Sequence, residues 1–234
     1  MPNELILLIN LLVVFGGVLL AYYLFGTRGL TCFTVFATIA ANIEVLILID
    51  AFGLEQTLGN IVFAATFLIT DIISEVEGKE QAKQTVHIGI FTTVCFLALT
   101  QIWLLYTPSP NDWVFPHIQQ VFTISGRVMV VSLLVYAFVQ RLDVWLYHKW
   151  WDFTKKKYGD AHRFLWLRNN GSTLISQFLN SILFNFGAFW GIYDLGTLFS
   201  ITLTTYLIYI ATTLADTPFI YLARKIQPRY RPTN

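Results

Sequence analysis

The chain is 234 residues long, and its 15 basic and 14 acidic side chains make up only 12% of it, against roughly a quarter in an ordinary soluble domain. Apolar residues account for 56%, aromatics alone for 16%, and the mean hydropathy is +0.60. A soluble fold of this length could not cover so much apolar surface, which excludes a soluble globular enzyme, a disordered tail and a nucleic-acid binder with a basic face, and leaves a polytopic membrane protein.

A helix needs about 20 residues to cross the hydrocarbon core of a bilayer. Seven apolar runs of that order succeed one another, at 4–26, 29–52, 58–76, 83–106, 125–148, 172–192 and 197–222. The first starts at Met1-Pro2-Asn3-Glu4, has no basic flank and is too long for the apolar part of a cleaved leader, so it is expected to remain as a span. The second carries Glu44 eight residues from its outer end, roughly 12 Å deep at about 1.5 Å per residue. A charge inside the bilayer costs on the order of 3 kcal/mol on insertion scales and asks for a partner. Arg127, entering the fifth run from the same side just after Gly126, could meet Glu44 as an ion pair between helices or at the mouth of a ligand cavity.

The third run ends on Asp71 and Glu75, one helical turn apart, and Lys79 and Lys83 continue that row as a salt-bridge ladder leaving the membrane. These acids make six spans the alternative to seven. After the fourth run, Thr107-Pro108-Ser109-Pro110 reads as a turn, followed by a short polar–apolar piece through Gln119 and Gln120. In the fifth, Tyr136, Gln140 and Asp143 share a helical stripe that points almost opposite Arg127. In the sixth, Thr173, Gln177, Asn180 and Phe184 recur at i, i+4, i+7 and i+11, with Asn185 adjacent. Amides inside lipid must find partners, on neighbouring helices or on a bound solute. The seventh has a matching stripe of Thr205, Tyr209, Thr212 and Asp216, then Pro218, with Arg141 or Arg224 placed to neutralise Asp216. Cys32 and Cys95 lie in apolar runs and read as buried helix thiols, with no disulfide framework.

Charge along the chain tests this count independently. Arg28 follows the first run, and Lys79 and Lys83 follow the third. Arg141, Lys149, Lys155, Lys156, Lys157, Arg163 and Arg168 follow or end the fifth, and Arg224, Lys225, Arg229 and Arg231 follow the seventh. The intervening connections and the N-terminus have neither Lys nor Arg, so 14 of the 15 basic residues fall on alternate sides of a seven-span chain. The positive side is the cytoplasmic one, which puts the N-terminus outside and the C-terminus inside. Trp145, Trp150, Trp151 and Trp166 gather at the inner boundary, and Trp103, Trp113 and Trp190 near the outer one. The expected fold is therefore an all-α bundle forming one transmembrane domain over 1–234, with 226–234 as a short basic cytoplasmic tail.

Chemistry is conspicuous by its absence. There is no G-x-x-x-x-G-K-[ST] and no room for a nucleotide-binding domain, so the chain does not hydrolyse ATP by itself. His87, His117, His148 and His162 are scattered over different connections and depths, no H-E-x-x-H occurs, and neither a metal nor another cofactor is expected. The acids show no spacing that suits an intramembrane protease. The reading is transport, sensing or a subunit serving one of these, and not an enzyme.

Ala41-Asn42, Ile49-Asp50, the run from Phe67 through Asp71 and Glu75 to Gly78, Arg127, Gln140-Arg141-Leu142-Asp143-Val144, Ser172-Thr173-Leu174 with Gln177 and Asn180, and Asp216-Thr217-Pro218-Phe219 occur in an order that resembles the bacterial queuosine precursor transporter family, earlier grouped as vitamin uptake transporters. The matches cover about residues 35–222. The resemblance implies import of 7-deazaguanine bases, such as the 7-cyano and 7-aminomethyl forms or queuine, across the bacterial inner membrane for salvage into tRNA. A guanine-like edge offers donors for a carboxylate and an acceptor for an amide or guanidinium, and Phe184, Tyr136 or Tyr209 could stack on the flat bicycle. Asn180 and Tyr209 depart from the family pattern, which has an acid and a lysine there, so a charge pair is replaced by a neutral one.

On this reading Glu44, Asp71, Arg127, Tyr136, Gln177, Asn180 and Phe184 bind substrate, while Glu75, Asp143 and Asp216 serve proton coupling or gating. The expected partners are a nucleobase-like small molecule and the lipid bilayer, with a homodimer left open and no nucleic acid. Two alternatives stand beside it. One is the substrate-binding subunit of an energy-coupling-factor vitamin transporter, for which Ala37 and Ala41 give a small-xxx-small docking face. The other is a membrane sensor that transports nothing.

Overall fold

The computed structural model describes residues 1–124, 126–159 and 163–229. His162 and Arg231 lie outside them. Seven helices and one hairpin follow in order: α1 (Asn3–Glu44), β1 (Leu48–Ala51), β2 (Leu54–Thr57), α2 (Asn60–Val76), α3 (Lys79–Trp103), α4 (Phe115–Ile124), α5 (Gly126–Tyr158), α6 (Leu165–Phe189) and α7 (Leu195–Ala223).

α1 holds two of the expected runs. Gly26 interrupts it at φ 61° and ψ −147°, a conformation that only glycine adopts without strain, and residues 27–44 fold back along 3–25. The fold-back brings the Phe33 ring against Gly17. It also returns the chain to its own start, where the Asn3 amide donates to the Asp50 carbonyl at 2.8 Å and Glu4 Oε1 accepts from the Phe52 amide at 3.0 Å.

The run expected to continue to residue 52 leaves the helix at Glu44. β1 and β2 pair antiparallel instead, Leu48 opposite Thr57 and Ala51 opposite Leu54. Phe52 and Gly53, both at positive φ (56° and 71°), supply the tight turn that twists with its strands. β-branched Ile47 and Ile49 sit comfortably in that extended stretch.

α2 is the hub: it packs against α1, α3, α5 and α7 and is buried almost all round. A helix covered on every side sits in the middle of the bundle, and its polar residues Thr66, Thr70 and Asp71 are buried with it. Around it the usual distribution of polarity is reversed. Leu12, Val13, Phe36, Phe91, Leu134, Phe138, Leu203 and Leu214 are exposed, while Asp71, Gln140, Asp143, Asn169, Gln177 and Asp216 are buried. An apolar exterior around a polar interior is stable only with lipid as solvent. Among the described residues α1, α3, α5 and α7 are long and apolar enough to cross a bilayer; α2 is 17 residues long and α6 opens on Arg168, Asn169 and Asn170. The molecule is thus a helical membrane protein. Cys32 and Cys95 sit on the exposed exterior rather than inside, because a lipid-facing surface accepts a thiol as readily as a core does.

The two ends of the bundle differ in charge. One gathers the Gly26 turn, the α2–α3 connection and the tail: Thr27 donates to Glu77 at 3.0 Å, and the Arg229 amide donates to the Tyr23 carbonyl at 2.7 Å. Arg28, Lys79, Lys83 and Lys225 are at that end. The other end holds the N-terminus, the hairpin, α4 and the α6–α7 connection, where Asp194 caps α7. The Thr197 hydroxyl and then its amide hold the Asp194 carboxyl below the usual carboxylate range.

Candidate functional site

A cavity of about 660 Å³ runs into the bundle from the hairpin end. Its rim is built by the hairpin and by Tyr193 and Thr197, and its walls come from α1, α2, α3, α5, α6 and α7. Deep in it, Phe63 of α2 stands with its ring centroid 6.2 Å from those of both Tyr136 on α5 and Tyr209 on α7. The amides of Asn42, Asn60, Asn180 and Asn185 also line it. No charged side chain does so among the described residues. Asn180 and Tyr209, the two positions that depart from the family pattern, both line it.

The α6 stripe continues inward from this cavity. Asn180 and Phe184 line it, and Thr173, two turns deeper, donates to Asp71 Oδ2 at 3.1 Å. Gln177 lies between, fully buried, and neither its amide nitrogen nor its oxygen has a hydrogen-bond partner among the described residues. Asp71 of α2 and Asp143 of α5 are fully buried here, close enough to act on one another, with Ser172, Thr173 and Ser176 around them. Asp71 Oδ1, both Asp143 oxygens and Ser176 Oγ are likewise unpartnered. Gln140, by contrast, is satisfied: its amide donates to Thr66 at 2.6 Å and its oxygen accepts from Thr70 at 3.3 Å.

Below the carboxyl pair, Arg168 holds Glu75 in a buried ion pair at 2.7 Å. Tyr147 donates to the same carboxylate at 2.7 Å, and Arg224 approaches it at 3.4 Å. The α6–α7 seam is stitched by Asn169 donating to Asp216 at 2.8 Å and Asn170 donating to Thr217 at 2.8 Å.

Of the residues singled out from the sequence, Tyr136, Asn180 and Phe184 come together on the cavity wall. Gln177, Asp71 and Asp143 lie just beneath it. Glu44 ends α1, half-buried, while its neighbours Asn42 and Val45 line the cavity. Arg127 does not meet Glu44: its Nε and Nη1 donate to the carbonyls of Gly187 and Trp190, both at 2.9 Å, because the end of α6 leaves carbonyls without helical donors. The ladder from Asp71 and Glu75 to Lys79 and Lys83 is not formed either. Glu75 turns inward to Arg168, and Lys83 pairs with Glu80 at 2.8 Å on the surface. Asp216 is held by Asn169 rather than by Arg141 or Arg224.

Phe63, Asn60 and Ser176 are not among the residues that the sequence singles out, and Arg168 enters there only as one positive charge at the inner boundary. Ser176 had a signal, lying one turn from Ser172 and beside Gln177. Phe63 had none, being one apolar residue in an apolar run.

The model of the family described as “Putative vitamin uptake transporter” matches residues 57–223. A protein of Bacillus subtilis (strain 168) named “Probable queuosine precursor transporter” is 36% identical over 211 residues, which is 90% of this chain and 90% of that one. No solved structure matches.

Proposed function

The chain belongs to the queuosine precursor (vitamin uptake) transporter family, and from that premise we propose that it imports a 7-deazaguanine base across the bacterial inner membrane. The observation that carries this reading is the neutral cavity, whose lining combines amides with aromatic rings deep in the bundle. Its volume falls within the roughly 300–1,000 Å³ of small-molecule sites. An uncharged, flat, hydrogen-bonding heterocycle suits such a lining. Rings such as Phe63, Tyr136 and Tyr209 offer faces and edges to stack on the bicycle. Asn180 and the Asn60 amide nitrogen offer hydrogen bonds to its edge, while Asn42 already donates to the Thr38 carbonyl and Asn60 Oδ1 accepts from Thr57. A base that leaves those amides unpaired is rejected.

The seven crossings and an outer N-terminus form part of this proposal. The cavity then faces outward, and the Glu75–Arg168 pair closes the cytoplasmic end. Thermal denaturation of the purified protein with 7-cyano-7-deazaguanine, 7-aminomethyl-7-deazaguanine, queuine, guanine and adenine tests it. Stabilisation by the deazaguanines and not by adenine is expected, and no shift with any deazaguanine would overturn the reading. Uptake by the purified chain alone in liposomes separates a self-sufficient carrier from a subunit that needs an ATPase, and from a sensor.

A further inference from the structure

We infer that Asp71 and Asp143 bind one shared proton and couple its inward movement to passage of the base through the cavity above them. This rests on the transport reading and deepens it. The two carboxyl groups come from different helices, α2 and α5, and are fully buried close to one another; Thr173 holds one oxygen of Asp71, and the other three oxygens have no hydrogen-bond partner among the described residues. Two bare carboxylates in that arrangement would present only acceptors to one another; a single proton makes one the donor and the other the acceptor.

Among the described residues no cation is paired with either carboxyl to take the proton's place. Arg168 and Arg224, the nearest cations, are both directed to Glu75 one turn away on α2. The remaining titratable groups around the pair are Asp216 on α7, held by Asn169, and Tyr147 on α5, which donates to Glu75. Tyr136 and Tyr209 stand nearer the cavity. Among the described residues the acids form no cluster able to hold a metal ion, so the three carboxyls do not converge on a cation.

A second observation points to an occupant that comes and goes. Both amide atoms of Gln177 are buried and without a partner among the described residues. Gln177 sits between Asn180 on the cavity wall and Thr173 on Asp71, so the stripe joins base to carboxyl pair. A proton from the outer medium reaches the pair through the cavity when the base is bound and leaves to the cytoplasm after it. One proton moves inward with each base, and the base is unchanged. A neutral base with one proton carries one positive charge, so an inside-negative potential also drives the step.

The test uses the full chain in liposomes with 7-cyano-7-deazaguanine. The readout is the ratio of initial uptake with an acidic exterior to uptake with equal pH, so a lowered absolute rate does not blur it. One proton per base supports about tenfold accumulation per pH unit. A ratio of several-fold is expected, abolished by a protonophore, and reduced to about one in Asp143→Asn, which keeps the shape of the protonated acid. Exchange of labelled for unlabelled base without any gradient reports transport itself. In the unmodified protein, exchange with a ratio near one or a response to sodium instead of protons would overturn the coupling alone, as would a full ratio in Asp143→Asn. No exchange and no thermal shift in the unmodified protein would overturn the transport reading with it. Should Asp143→Asn not fold, a pH-sensitive dye inside vesicles of the unmodified protein decides: base added outside must acidify the interior.

Discussion

Arg168 is fully buried and grips Glu75 through three hydrogen bonds, from Nη2 to Oε1 and Oε2 at 2.8 and 2.7 Å and from Nε to Oε2 at 3.1 Å. Its guanidinium also lies 4.2 Å from the centre of the Trp151 ring, and its Nη1 donates to the Arg163 carbonyl at 2.9 Å. The pair ties α2, α5 and α6 together at the basic end of the bundle.

Breaking a buried pair from one side leaves the other charge stranded, at a cost of about 3–5 kcal/mol, whereas replacing both partners can be nearly neutral. Arg168→Met should therefore lower the thermal stability of the purified protein strongly. Arg168→Met with Glu75→Gln should recover much of the loss. Denaturation of both variants in detergent checks this, and a single variant as stable as the parent would show that the pair does not hold the helices.

Arg168 also shows where sequence reading stops. It was counted as one more positive charge at the inner boundary, and its side of the bundle was right. That it is buried, and which acid it meets, depends on a partner 93 positions away, and apolar periodicity carries no information about such distances. The long helices are legible because each is an apolar run of about 20 residues or more, and the Gly26 break falls at the expected boundary. The hairpin was not, since Leu46–Ile49 is apolar whether it continues a helix or forms a strand. Likewise the stripe of Thr173, Gln177, Asn180 and Phe184 was readable from helical spacing alone. That its lower half meets a carboxyl pair and its upper half a cavity follows only from how α6 packs against α2, α5 and α7.

The uncharged lining of the cavity makes a prediction about selectivity. A 7-aminomethyl group carries an ammonium ion that would lose water there without gaining an anion, an unfavourable exchange. The 7-cyano form should bind at least about tenfold more tightly, which corresponds to roughly 1.4 kcal/mol. Asn180→Asp, which adds a carboxylate at the wall, should narrow or invert that preference. Competition between the two bases, before and after the substitution, measures it. Equal competition in the unmodified protein would mean that the ammonium finds an anion elsewhere.

Gly89 of α3 leaves room for the Tyr136 hydroxyl: a Cβ at that position would lie 2.3 Å from Oη. Tyr136 is buried and forms part of the cavity wall, so it cannot simply swing away. Gly89→Ala should destabilise the protein by about 1–3 kcal/mol, the usual range for overpacking, and weaken ligand binding by displacing the ring. Adding Tyr136→Phe removes the clashing oxygen and should restore stability to the Gly89→Ala variant. Melting curves and ligand titrations of the single and double variants test this, and an unaltered Gly89→Ala protein would contradict it.

Orientation in the membrane follows from charge. Basic side chains are retained on the cytoplasmic side, and among the described residues Arg127 is the basic side chain that falls at the opposite end. It is also tied to the carbonyls of Gly187 and Trp190, so its place there has a structural reason. Ser109, in the turn before α4, and Lys156, near the end of α5, are exposed at positions that this reading puts on opposite faces of the bilayer. The exposed thiols Cys32 and Cys95 must first be replaced by Ala so that they do not report instead. In that background, Ser109→Cys should react with a membrane-impermeant maleimide in intact cells, while Lys156→Cys should react only once the inner membrane is opened. The reverse pattern would invert the orientation and direct the cavity inward. Labelling of both in intact cells would mean an even number of crossings between residues 109 and 156, so α5 would not be a span.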